Sequence, residues 1–219
     1  MEANTGACIS TEHVDRAAAT IVVWQVLLAL HVGPAVGAYA EAFNHQPEWL
    51  QDEDKWRWSY RYSDQTGSYT AELYGWIDGG TDVHWEFYGS RDGGFQDFLW
   101  FSGTSNSANT IAQWTMNIDR SGSTTPLLQA DWHQNADGTG GVQFTNVEPG
   151  SAEHGGFINY GLTNQTFNSF YNVFVAGSGS TTNIELNSST NEGRILEPDF
   201  FNDAEWHCWD ANLCDDTCQ

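Results

Sequence analysis

The sequence predicts a mainly β protein: a curved antiparallel meander of about 10–11 strands forming a barrel or half-barrel, with one N-terminal apolar helix packed against its concave face. Three observations predict it. Residues 17–40 carry no charged side chain. From Lys55 onward apolar and polar residues alternate with a period of two, the signature of half-buried strands. Gly-, Asn- and Asp-rich turns interrupt that alternation at short intervals.

The apolar stretch has three readings. It is long enough to cross a bilayer, and Ala38-Tyr39-Ala40 has the form of a signal cleavage site. Against both, the preceding segment holds Glu12 and Asp15 and offers Arg16 as its cation, whereas signal sequences and spans are flanked by positive charge. A helix apolar on every side is otherwise a buried one, and this third reading leads. Gly33-Pro34 kinks or stops the helix, and His31 reads as a satisfied core histidine.

Four segments follow: a polar stretch over 1–16, the apolar helix over 17–43, an antiparallel β domain over 55–197, and an acidic, Cys-rich tail over 198–219 packed on the same domain. Residues 44–54 connect helix and sheet through Pro47 and the acidic run Asp52, Glu53 and Asp54. In the first strand Trp56, Trp58, Tyr60 and Tyr62 alternate with Arg57, Ser59 and Arg61, placing aromatics on one face and cations on the other. Further strands are expected over 69–77, 83–88, 96–102, 112–118, 127–133, 142–147, 157–162, 170–175, 182–187 and 194–196. A sheet this wide with one apolar face must curl, because twist accumulates and open edges are costly. It then closes, or stays open and is capped by the helix.

Composition narrows the function. The chain of 219 residues has 7 Lys+Arg against 29 Asp+Glu, a formal net charge of −22. Such a surface repels phosphate backbones and anionic lipid headgroups, which argues against nucleic-acid binding and suits a salty or divalent-rich medium. Cys8, Cys208, Cys214 and Cys218 fit disulfides in an exported protein of the periplasm, outer membrane or cell surface. Thr5-Gly6-Ala7-Cys8 also has the small residues of a bacterial lipoprotein cleavage site, so a lipidated Cys8 anchoring the chain to a membrane competes with a disulfide to the tail.

The tail, with Asp203, Glu205, Trp206-His207-Cys208-Trp209-Asp210, Leu213 and Cys218, resembles the ending of a group of uncharacterised bacterial exported lipoproteins. Phe98-Leu99-Trp100, Gly103-Thr104-Ser105 and Glu148-Pro149-Gly150 carry the likeness into the β region, although Cys214 departs from the pattern. The layout of one helix and many antiparallel strands is similar to the half-barrels of periplasmic lipoprotein carriers. The resemblance implies an exported protein of that build and does not fix its activity.

Four cysteines allow three pairings. The preferred one closes a short loop with Cys208–Cys218 and ties the chain ends with Cys8–Cys214; a lipidated Cys8 would leave a tail cysteine unpaired. His207 with Cys208, Cys214 and Cys218 lacks paired Cys-x-x-Cys spacing, so zinc is the weaker account. Asp203, Glu205, Asp210, Asp215 and Asp216 read as solvated acidic surface rather than a calcium loop. Glu72, Glu86 and Glu185 lie in strands and could include a glycosidase pair, but cross-strand ion pairs with Arg57 and Arg61 explain Glu72 and Glu86 equally well. His84, His133 and His154 face no evident nucleophile. No cofactor or metal site is expected.

The expected function is therefore an exported, non-catalytic barrel-like protein that binds an apolar small molecule or lipid in the sheet's concavity, with Trp58, Tyr60, Trp85, Trp100 and Trp114 as the candidate ligand-binding residues. A carbohydrate-binding or adhesive surface module, and a polysaccharide hydrolase, are the alternatives.

Overall fold

The computed structural model describes residues 8–65 and 67–218. Thr5-Gly6-Ala7, the side chain of His31 and Gln219 lie outside the described residues. Strands β1 (Glu48–Leu50), β2 (Lys55–Asp64), β3 (Gly67–Ile77), β4 (Asp82–Arg91), β5 (Phe98–Asn106), β6 (Ile111–Arg120) and β7 (Ser123–Gln134) form the first half of the sheet. Strands β8 (Gly140–Asn146), β9 (Phe157–Leu162), β10 (Ser169–Val175), β11 (Ser180–Leu186), β12 (Gly193–Leu196), β13 (His207–Trp209) and β14 (Asp215–Asp216) complete it. Each strand pairs antiparallel with the next, in one 14-stranded meander that does not close.

The eleven strands expected from alternation are all present. The additional ones, β1, β13 and β14, are only two or three residues long. So short a run shows no period, and their pairing depends on tertiary contacts.

The apolar stretch folds as a broken rod, α1 (Glu12–His31) and α2 (Gly33–Ala42), with Val32 at the junction and Pro34 in the first turn of α2. Pro34 thus ends one helix and starts the next, since a missing N–H costs nothing in a first turn. The rod begins five residues before the expected start at 17, so the last five residues of the polar 1–16 segment are helical. A short α3 (Pro198–Phe201) precedes the tail strands.

The rod is not buried all round. Val14, Ala17, Ile21, Trp24, Leu28, Val32, Ala35, Tyr39 and Ala42 form a buried or half-buried stripe at three- and four-residue steps. Ala17 packs with Ile184, Ile195 and Trp209 at the β11–β13 end of the sheet, while Ala35 and Ala42 pack with Tyr60, Leu73, Phe87 and Phe101 at the β2–β5 end. The opposite stripe, including Val22, Val23, Val26 and Leu30, faces solvent. From Ala17 to Ala42 the rod measures ~37 Å at 1.5 Å per residue. The ten strand spacings from β2 to β12 run ~48 Å along the sheet. A chord shorter than its arc requires the sheet to bow away from the helices.

Both ends of the rod are fastened. At the α1 end Cys8 is bonded to Cys214 and Cys208 to Cys218. Asp215 of β14 accepts the Glu12 and His13 amides at 3.2 and 3.0 Å, standing in for the missing side-chain cap of α1. Arg16 makes a two-pronged contact with the buried carboxylate of Glu197. At the α2 end the Tyr60 hydroxyl donates to the Ala38 carbonyl at 3.0 Å.

These fastenings bear on two of the readings open in the sequence. Cys8 is disulfide-bonded to Cys214, the pairing that competes with its lipidation. Over Glu12–Leu30 α1 is long and apolar enough to cross a membrane. A span would nevertheless separate Cys8 from Cys214 by a hydrocarbon layer of ~30 Å, and their Cα atoms are 5.2 Å apart. Cleavage after Ala40 would likewise strip Cys214 of its partner. The two disulfides suit an oxidising, extracellular type of compartment.

Candidate functional site

Bridging a bowed sheet with a rod shorter than the arc it crosses leaves space beneath it. An apolar cavity of about 620 Å³ lies between α2 and strands β4–β8. A second, of about 320 Å³, lies under Trp24, Leu27 and Leu28 of α1, and Phe144 borders both.

The cavity floor follows from cross-strand register. One row runs Trp85–Gly103–Trp114–Ala130–Phe144 over β4–β8, alternating large and small side chains. The neighbouring row runs Val83–Ser105–Ala112–Trp132–Val142. Gly75 and Gly103 let the indoles lie down on the sheet. A Cβ at Gly75 would meet the Trp85 ring at 2.8 Å, and one at Gly103 the Trp114 ring at 2.7 Å. Indoles lying flat, with Ala112 and Ala130 between them, keep the middle of the floor low. The roof is Val32, Ala35, Val36, Tyr39 and Phe43. Tyr39 meets Trp85 and Trp114 edge-on at 5.6 and 5.4 Å, which sets the height of the roof at that end.

Among the described residues no charged side chain lines this cavity. Its ionisable group, Tyr39, is pushed up to about 12 by burial and stays neutral at physiological pH. The Trp85 indole N–H donates to Ser105 Oγ at 3.2 Å. Polar groups appear at one margin, in the β5–β6 turn at Asn106, Ser107 and Asn109. Asn106 is engaged there, its Oδ1 accepting the Thr110 amide and its Nδ2 donating to Thr110 Oγ1, both at 2.8 Å.

Of the five tryptophans and tyrosines singled out in the sequence, Trp85 and Trp114 line this space. Trp58 stands behind them, against Phe43 and Trp85. Tyr60 and Trp100 border a separate cavity of about 230 Å³ on the β2–β5 side. Trp100 arrives there through a bulge: Phe87 faces Phe101 and Tyr88 faces Leu99, so Trp100 is the unpaired residue of β5. Sequence reasoning missed Tyr39, Phe43, Ala112, Ala130, Trp132 and Phe144. The signal for them is the large–small alternation between strands, which exists only once register is known.

Of the carboxylates considered for hydrolysis, Glu72 and Glu86 are diagonal neighbours on β3 and β4, each beside a cation, and Glu185 is remote from both. Glu72 accepts from Arg57 at 3.4 Å, Glu86 lies 3.8 Å from Lys55, and Glu185 pairs with Arg194 seven strands from β4. Arg61 turns instead to Asp92. In the tail Asp203 accepts from His207 at 3.0 Å, Asp210 caps the Asn212–Cys214 turn, and Asp215 caps α1. These contacts are structural. His84 stacks on Trp76, and the His154 ring lies 3.2 Å from the Glu148 carbonyl. No protein family, curated protein sequence or solved structure matches this chain.

Proposed function

We propose that this protein is an exported, non-catalytic binder that holds an uncharged apolar molecule, or the hydrocarbon part of a lipid, between the helical rod and the sheet. The observation that carries this reading is the roofed cavity of about 620 Å³ with aromatic walls and no charged lining. That size falls in the range of small-molecule sites, ~300–1,000 Å³. Any polar end of the ligand emerges at the Asn106–Asn109 turn. The net charge of −22 selects against anionic headgroups in favour of neutral or cationic ones. The periplasm or the cell surface fits both the disulfides and the resemblance of the tail to exported lipoproteins.

Titration with the neutral fluorophore N-phenyl-1-naphthylamine, alongside native mass spectrometry of the purified protein, tests the proposal. Ala130→Leu and Ala112→Leu raise the floor between the indoles. Each is expected to weaken fluorophore binding at least tenfold while leaving the circular dichroism spectrum unchanged. Undiminished binding in both variants, or none in the wild type, refutes the reading.

A further inference from the structure

The face of the sheet turned away from the helices carries a different pattern. A single register row crosses eight strands as His84–Thr104–Gln113–Asp131–Gln143–Asn159–Asn172–Asn183. Every position is polar and at least partly open to solvent. Its first half satisfies itself: Gln113 and Gln129 both donate to Asp131, at 2.7 and 2.8 Å, neutralising much of its demand for donors. At the other end the amides of Asn159, Asn172 and Asn183 have no hydrogen-bond partner among the described residues. The adjacent row runs Gly141–Gly161–Phe170–Glu185–Arg194. The Phe170 ring reaches back across the two facing glycines, its Cζ 3.5 Å from where a Cβ on Gly141 would sit, at ordinary contact distance. The β9–β10 loop and the disulfide-bonded tail wall this region into a groove of about 810 Å³.

We infer that this outer groove binds a neutral linear polysaccharide laid across the strands, with Phe170 as the stacking platform and Asn159 and Asn172 as the hydrogen-bonding partners. The chemistry of the groove selects that occupant. A flat ring beside uncharged amides matches a pyranose, which has an apolar face and an equator of hydroxyls that both donate and accept. Among the described residues the groove also carries Glu192, Asp210 and Asp216 beside the compensated Glu185–Arg194 pair, so its own lining disfavours an anionic occupant. A net charge of −22 repels polyanions. The amides also repeat at the strand spacing of ~4.8 Å, comparable with the advance of one sugar along an extended chain. This site lies on the opposite face from the apolar cavity and stands independently of it.

The test uses the full chain with cellohexaose, chitohexaose and laminarihexaose, by calorimetry and by affinity electrophoresis in the matching polymers. At least one glycan is expected to bind. Phe170→Ala and the pair Asn159→Ala/Asn172→Ala should each weaken it tenfold or more, and Phe170→Tyr should stay within threefold of wild type. Binding should change little with added salt, as a neutral ligand requires. A circular dichroism spectrum and melting temperature unchanged in every variant establish that the sheet is intact. Lack of binding to all three glycans, binding that survives both Phe170→Ala and the double asparagine variant, or binding confined to charged polymers overturns the inference. Should Phe170→Ala alone lose the fold, the surface asparagine variant decides.

Discussion

Asp215 shows how much one side chain can do at a distance. It belongs to the two-residue strand β14, yet its carboxylate receives the first free amides of α1, about two hundred residues earlier in the chain. Burial alone would raise its protonation point. Hydrogen bonds from Ser10 and from the His13 and Glu12 amides, with His13 close by, hold it below the usual carboxylate range. A carboxyl with a lowered folded-state value contributes stability that is fully present above its unfolded value and lost as pH falls through the folded one. Asp215→Ala is therefore expected to cost about 1 kcal/mol at neutral pH, the usual worth of a helix cap. The difference between variant and wild type should shrink steadily below about pH 4. Urea titrations at pH 7 and pH 3 check this; an equal gap at both would assign the cap no electrostatic role.

Among elements, the α1–α2 rod decides the most. Its inner stripe docks at both ends of the sheet, and its outer stripe leaves Val23 57% and Val26 52% exposed. Two classes of substitution should separate cleanly. Val23→Gln and Val26→Gln are expected to change stability by less than about 0.5 kcal/mol, as surface positions do. Ile21→Ala, which packs on the Ile184–Ile195–Trp209 cluster, is expected to cost about 2 kcal/mol. Chemical denaturation of the three variants measures both. If the outer substitutions proved as costly as the inner one, the rod would be covered on both sides in solution. The break at Val32 lets α1 and α2 seat against the two ends of one curved surface, which a straight 31-residue helix would do only at one end.

For the whole molecule, the open edges of the meander matter most. A 14-stranded sheet that does not close leaves β1 and β14 with unpaired backbone, and both are kept to two or three residues, a common way of blunting an edge. The Cys8–Cys214 bond fixes the start of the rod beside β14 and spans 206 residues. By the chain-entropy account such a closure is worth about 5 kcal/mol, against about 3 kcal/mol for the ten-residue Cys208–Cys218 loop. Cys8→Ser/Cys214→Ser should accordingly lower the melting temperature more than Cys208→Ser/Cys218→Ser, by scanning calorimetry. The reverse order would mean that the short loop organises β13 and β14 more than the long one organises the rod.

Most of the strands were legible because alternation is written into each one: from Trp56 to Tyr62 aromatic and polar residues fall on opposite faces without any neighbour, although tertiary packing covers only Trp58 and Tyr60 of that aromatic row. The uncharged 17–40 stretch likewise announced a helix, and Gly33-Pro34 its break. The ligand-sized space was not legible. It depends on Gly103 lying opposite Trp114, on Ala130 lying between Trp114 and Phe144, and on a rod shorter than the arc it crosses, and each of these relates residues far apart in the chain. The outer row from His84 to Asn183 was hidden in the same way, since each member is an ordinary wet-face residue in its own strand. Local chemistry, acting over a few residues, determined by itself which segments are strands and which is the helix. Register, curvature and the cross-link from Cys8 to Cys214 decided which faces meet, because those are set by contacts that form only when distant segments pack together.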